Sequence, residues 1–245
     1  MSTDAPGIGE DSSGHAEMVA AGEPADDANR AAVIDLLGVL AYGELTGFSR
    51  LAADAELAPT VGAKAMLARL AVSEFTHYEK VHQRLTELGV DPEAAMQPFV
   101  AALDAFHERT ASSTWLEGLV KAYVGDGIAS DFYREVSAYL DEPTHALVTE
   151  VLADSGQADF VVGQVRGAIE ADPRVSGRLA LWGRRLVGEA LSQAQRVSAD
   201  RDGLTGLLVG LPGRPGVADL AELMAMFGRL TTAHSERMAK LGLSD

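Results

Sequence analysis

The chain has 245 residues, a formal net charge of −16 and no cysteine, and 47% of its residues are hydrophobic. That length suits one domain with a generous core, or at most two small ones. Without cysteine there can be no disulfide, iron–sulfur cluster, thiolate zinc site or cysteine nucleophile, so any metal must be held by carboxylate, imidazole, amide or water, a donor set that suits iron, manganese or magnesium.

The opening residues, MSTDAPGIGEDSS, have neither a basic nor an apolar region of the kind a secretory signal needs. No apolar run is expected to reach the length of a membrane span, since GLTGLLVGLPG is short and broken by Gly and Pro. A soluble cytoplasmic protein is the expectation. The acidic balance opposes general nucleic-acid binding, which depends on neutralising phosphates with Lys and Arg. Charge is uneven, however: residues 1–30 hold seven acids against Arg30, whereas 166–201 holds Arg166, Arg174, Arg178, Arg184, Arg185, Arg196 and Arg201 against four acids. That segment reads either as a solvated helix surface or as a local anion-binding face.

Residues 1–27 are rich in Gly, Ser, Ala, Asp and Glu and read as a disordered acidic tail. One domain is then expected over 28–245, with a bundle core at 28–171 and extra helices at 173–241. The first helix, about Asp27 to Ala53, carries the stripe Val33, Leu37, Leu40, Glu44, Phe48 and Leu51. A second, about Pro59 to Leu88, shows Met66, Leu70, Glu74, His77, Val81 and Leu85, with Gly89 as a stop. Residues 90–112, containing Pro92 and Pro98, are expected to connect, with a short helical piece from Val100 to His107.

A third helix should start near Ser113 or Thr114, where STWLE resembles a capping box closed by Glu117, and run through Tyr123, Asp126, Ser130 and Tyr133 to end before Pro143. A single fourth helix is expected from Thr144 to Ala171, with Leu147, Val151, Asp154, Gln157, Val161 and Val165 on one face and Gly156 and Gly163 weakening it. A fifth follows from Pro173 to Arg201 and, after a Gly/Pro loop, a sixth from Val217 to Leu241. With no strand-like alternation and no internal repeat, the fold class is all-α.

The informative feature is the acid inside each apolar stripe: Glu44, Glu74, Asp126 and Asp154. An ionised carboxylate is almost never fully buried without a partner, so four of them on four helices imply convergence on something cationic. Residues three apart share a helix face, which lets Glu74 and His77 address one point, and Asp154 and Gln157 repeat that spacing. The order single, pair, single, pair matches bundles that bind two metal ions with one acid from each of two helices and a Glu-x-x-His pair from each of the other two. The candidate metal ligands are therefore Glu44, Glu74, His77, Asp126, Asp154 and Gln157.

The motifs GEL around Glu44, SEFTH around Glu74 and His77, GDG around Asp126 and ADSGQ around Asp154 and Gln157 make the chain resemble the ferritin-like superfamily. It is most similar to the di-iron tRNA hydroxylases that act on 2-methylthio-N6-isopentenyladenosine, over about residues 28 to 200. The resemblance implies a ferritin-like four-helix bundle with two additional C-terminal helices. It also implies two iron ions, with manganese as the alternative metal, that activate dioxygen with electrons from an external donor and hydroxylate a C–H bond on a tRNA base. The chain departs from the family pattern where Asp126 and Asp154 stand for Glu and Gln157 for His. Asp is one methylene shorter, and an amide is a weaker ligand than imidazole, so the second metal position is expected to bind less tightly.

Other residues invite simpler readings. Tyr123 lies one turn before Asp126 and reads as core aromatic or as a partner of a ligand carboxylate. Glu189 is expected to pair with Arg185 one turn earlier, and His82, His107, His145 and His234 to be surface or capping residues. Trp115 and Trp182 read as packing anchors. A metal oxidase or hydroxylase thus stands against a helical interaction module that has lost full metal binding, with iron storage in a cage a more distant third.

Overall fold

Each apolar stripe in the sequence becomes a helix because it can bury that face on a neighbour. The computed structural model describes residues 24–137, 140–153, 157–201 and 220–243, and these contain eight α-helices and no strand. They are α1 (Pro24–Asp54), α2 (Val61–Glu87), α3 (Pro92–Arg109), α4 (Trp115–Ser137), α5 (Glu142–Val151), α6 (Gln157–Ala171), α7 (Arg174–Asp200) and α8 (Leu220–Lys240), with a 3₁₀ turn at Ala55–Leu57. Local chemistry sets several ends. Thr60 caps α2 by accepting from the Ala63 amide, and Asp91 and Asp141 cap α3 and α5, each just ahead of a proline in the first turn. The capping box at α4 forms: Thr114 Oγ1 accepts from the Glu117 amide at 3.3 Å, and Glu117 Oε2 from the Ser113 amide at 2.8 Å.

Three sequence expectations need correction. The acidic tail does not extend to residue 27, because α1 already starts at Pro24; residues 1–23 lie outside the described set. The connection over 90–112 is mostly one helix of 18 residues, α3, with Pro98 inside it. Propensity disfavours an interior proline, but Ala95, Met96 and the fully buried Phe99 pack against α1, and that burial outweighs one lost backbone hydrogen bond. The single fourth helix is broken into α5 and α6. Leu152 and Ala153 close the first piece with amides bonded to the Val148 and Glu150 carbonyls.

α1 lies along both α2 and α3, while α4 packs against α6, α7 and α8. The contact between α1 and α3 depends on Gly38. A Cβ there would meet the Ala95 carbonyl oxygen at less than contact distance and Phe99 Cε2 at 3.1 Å, so only glycine lets α3 come this close. Arginines then tie the later helices to the bundle. Arg201 at the end of α7 grips the buried Asp35 of α1 with both Nε and Nη2, and Arg166 Nε donates to the Lys240 carbonyl at 2.7 Å, joining α6 to α8.

The apolar side chains form two cores. One contains Val33, Leu36, Leu37 and Leu40 of α1, Val81 and Leu85 of α2, Phe99, Val136, Val148 and Leu152. The other contains Leu51, Leu67 and Leu70, Leu119 and Val124, Val161 and Val165, Leu186 and Met238. Every bundle helix crosses from one core to the other: α1 between Ala41 and Leu51, α2 between Ala71 and Val81, and α4 between Val124 and Tyr133. The α5–α6 junction makes the same crossing between Leu152 and Val161. A polar seam therefore separates the cores at one level.

By length and composition Asn29–Leu57 could cross a membrane, contrary to the sequence expectation that no segment could. Yet 56% of its apolar window is buried inside the protein, as a core helix of a bundle requires. Gly38→Val should lower unfolding stability by about 1–3 kcal/mol in urea titrations through overpacking. Gly62→Ala, where a Cβ meets only Thr60 Oγ1 at 3.9 Å, should instead raise it by about 0.5–1 kcal/mol.

Candidate metal centre

The seam is where the sequence placed its acids. Glu44 of α1 follows Ala41 by three residues and is 8% exposed, on the same face that buries Leu37 and Leu40. Glu74 and His77 of α2 fill the gap between Ala71 and Val81, both partly buried. One ligand atom from each of Glu44, Glu74 and His77 lies within 4.8 Å of the others, a spacing that one cation can span. Asp126 of α4 lines the same cavity, whose volume is about 300 Å³. Gly47, on the same stretch of α1, leaves room for this arrangement: a Cβ there would stand 3.1 Å from Glu74 Oε2.

Of the remaining predicted ligands, Asp154 lies outside the described residues, and Gln157 is described only as the first residue of α6. The residues on either side of the break, Leu152, Ala153 and Ala158, do line the cavity. The interruption of the fourth helix thus borders the site.

The electrostatics set three acids and a histidine against one another. Burial raises the Glu44 carboxyl to about 8, and the Asp126 charge adds to the rise, while a hydrogen bond with Glu74 opposes it. Asp126 is exposed and lines the cavity; desolvation there and the Glu74 charge raise it to about 7, against the pull of His77, Arg134 and Arg237. His77 shifts the other way, its imidazole held below the usual histidine range by burial more than the neighbouring acids can offset. Near neutral pH the imidazole is therefore uncharged, the form a metal requires. Glu44 Oε2 is buried without a hydrogen-bond partner, at 3.5 Å from His77 Nδ1. A buried carboxylate oxygen with no donor, among acids that resist ionising together, fits a bound cation.

Several residues that sequence reasoning did not select also belong here. Tyr133, 9% exposed, sits beside Glu44 and Asp126, whose charges together with burial push its phenol above the usual range. Ser130, Arg134, Arg237 and Lys240 line the cavity, as does Tyr123, which the sequence had offered either as core aromatic or as partner of a ligand carboxylate. Tyr133 and Ser130 were visible on the α4 stripe. Arg237 and Lys240 carried no local signal, since basic residues in a last helical turn ordinarily answer the helix dipole.

Three minor readings change. Glu189 pairs with Arg109 of α3 at 3.4 Å, and Arg185 donates to the Arg109 carbonyl at 2.6 Å, so the expected pair within α7 gives way to links between helices. His107 is no surface residue: its Nε2 meets Thr46 Oγ1 at 3.1 Å, and burial with nearby Lys121 lowers it to about 3. His234 is likewise buried, at 5% exposed.

Comparison with known proteins agrees with this architecture. Residues 27–211 match the family model described as "Ferritin-like domain, actinomycetes". Among solved structures the chain is similar to "Protein 19 with aldehyde deformylating oxidase activity from Synechococcus". The TM-score is 0.66 and identity 21%, with 90% of this chain and 94% of that one covered, which shows a shared fold. No curated protein matches in sequence.

The raised carboxyls make a pH prediction for metal-free protein. The folded chain holds these protons to higher pH than the unfolded chain, so their contribution to stability is complete below about pH 4 and is lost as pH rises through about 7 to 8. Denaturant titrations from pH 5 to 8.5 should show Glu44→Gln gaining stability relative to wild type as pH rises. Added divalent metal should flatten the wild-type profile.

Proposed function

The chain belongs to the ferritin-like domain family of actinomycetes, and on that premise we propose that it is a non-haem di-metal oxidase or hydroxylase, with iron as its metal. The observation that carries this reading is the cluster of Glu44, Glu74 and His77 in the seam between two apolar cores, with Asp126 on the same cavity. A structural polar layer would be expected to satisfy its own donors and acceptors, whereas this one leaves Glu44 Oε2 without a donor.

Glu44, Glu74 and His77 would hold one metal, with Asp126 and the pair Asp154 and Gln157 offered to a second; manganese is the alternative ion. Bound iron supplies the open coordination positions and redox chemistry for reducing dioxygen. The overall reaction consumes dioxygen, two electrons and two protons, and yields oxygenated product and water. No cysteine is present to hold a cluster, so the electrons come from an external donor. A cytoplasmic setting supplies such donors.

The chain's own residues set the surroundings. His77 presents a neutral nitrogen, and Glu44 and Asp126 give up their protons as positive charge replaces them. Tyr133 keeps its proton and remains a hydrogen-bond donor beside Glu44. Val151, Leu152 and Val161 give the cavity an apolar wall that limits water near the reacting carbon.

The tRNA substrate is supported by the resemblance in sequence motifs alone. Of the arginines of 166–201, Arg166, Arg174, Arg185 and Arg201 hold carbonyls or carboxylates of the protein itself, while Arg178 and Arg196 are exposed and keep the anion-binding reading open. The net charge of −16 opposes tRNA. Total tRNA at low salt should therefore not bind in a gel-shift assay, and retention there would restore it as substrate.

Anaerobic reconstitution with ferrous iron should give between one and two equivalents per chain, followed by dioxygen uptake when a reductant is supplied. His77→Ala and Glu74→Ala should each weaken the tighter position by about tenfold or more in competition with a chelator. Gln157→His should tighten the weaker one. Uptake well under one equivalent by the wild-type chain sinks the proposal.

A further inference from the structure

The cavity that holds the acids also has a cationic wall. Arg134 comes from α4, and Arg237 and Lys240 come from α8. They face one carboxylate, Asp131, which two of them share: Arg237 Nη1 lies 2.6 Å from Asp131 Oδ2 and Arg134 Nη1 3.3 Å from Oδ1. Arg134 also donates through Nη2 to the Leu152 carbonyl at 2.9 Å, which places it over the α5–α6 junction. Lys240 is exposed and has no ion pair among the described residues. Arg237 lies flat on α4 beside the metal centre. A Cβ on Gly127 would be 2.6 Å from both its Cδ and its Nε, so glycine next to Asp126 is what admits the guanidinium. Its Nε and Nη2 are buried without hydrogen-bond partners.

Charge balance gives this wall a purpose. Among the described lining residues, Glu44, Glu74, Asp126 and Asp131 oppose Arg134, Arg237 and Lys240, one negative charge in excess. With Asp154 counted as a ligand of the second metal, one divalent cation brings the cavity to neutrality and a second leaves it positive. A loaded site of this kind lacks an anion. The remaining walls at Val151, Leu152, Ala158 and Val161 are apolar. The volume of about 300 Å³ is the room of about ten water molecules, and so of a ligand with roughly as many non-hydrogen atoms.

We propose that the cavity recognises a small amphiphilic anion, whose carboxylate or phosphate group pairs with Lys240, Arg134 and Arg237 while its hydrocarbon part lies on the apolar wall. This rests on the reading of the centre as metal-binding and names the substrate class for it. An acidic protein thereby selects an anionic substrate: the positive charge is confined to one cavity and completed by the metal. Arg134 stands eight residues from Asp126 along α4, about 12 Å by helical rise, so an anion held there can direct its far end toward the acids.

The test uses the full chain with iron bound, and calorimetric titration with hexanoate, hexyl phosphate and 1-hexanol. Hexanoate or hexyl phosphate should bind about tenfold or more tightly than hexanol, and the tighter of the two identifies the anionic group. Lys240→Met and Arg134→Met should each weaken anion binding by about three- to tenfold and leave hexanol binding unchanged. Both side chains are exposed enough to be replaced without loss of folding, which thermal unfolding checks. Equal binding of hexanol and hexanoate overturns the proposal. So does anion binding that survives both substitutions, because the anion is then a ligand of the metal alone. Iron content of the same samples separates the two readings: a chain that loads iron yet ignores both anions loses this inference alone, and one that takes up no iron loses both.

Discussion

The structure turns on the cost of burying carboxylates. Glu44 sits between two apolar cores with an oxygen that no donor reaches, and Asp126, exposed to the cavity, faces the same space. Isolated charges in such a place would be costly enough to lose their ionisation, and both carboxyls are indeed pushed up, to about 8 and about 7. On the proposed reading a divalent cation would remove that cost by restoring the charged forms, so that the electrostatic strain held in one layer would become affinity for the ion.

The rest of the architecture serves that layer. Two separate cores, above and below, hold the helices rigidly enough that the seam need not contribute to folding on its own. Gly38 brings α3 against α1 behind Glu44, Gly47 leaves space for Glu74, and Gly127 admits Arg237 next to Asp126. Arginine contacts fasten α7 and α8 across the bundle, and α8, which supplies no carboxylate to the cluster, still lines the cavity through Arg237 and Lys240.

Much of the fold was legible from periodicity and local end signals. The cap at Thr114, read from STWLE, follows from short-range chemistry that needs no tertiary partner. Errors arose where long-range packing overrode propensity. The helix α3 persists through Pro98 because Phe99 and Met96 bury against α1, and no feature within residues 90–112 announces that. The break between α5 and α6 falls where apolar spacing continues, so periodicity alone joined them.

For the site, Glu44, Glu74, His77 and Asp126 could be read one helix at a time, since an acid within an apolar stripe is anomalous whatever lies opposite. That the first three come within reach of one ion, that Tyr133 stands beside them and that the last helix contributes Arg237 and Lys240 could not. Arg237 lies more than one hundred residues from Asp131, and no helical repeat connects them. The sequence by itself determined which side chains face inward, because facing depends on spacing along one helix. Only the tertiary structure decided which of them meet, because meeting depends on how close helices pack and where glycine lets them.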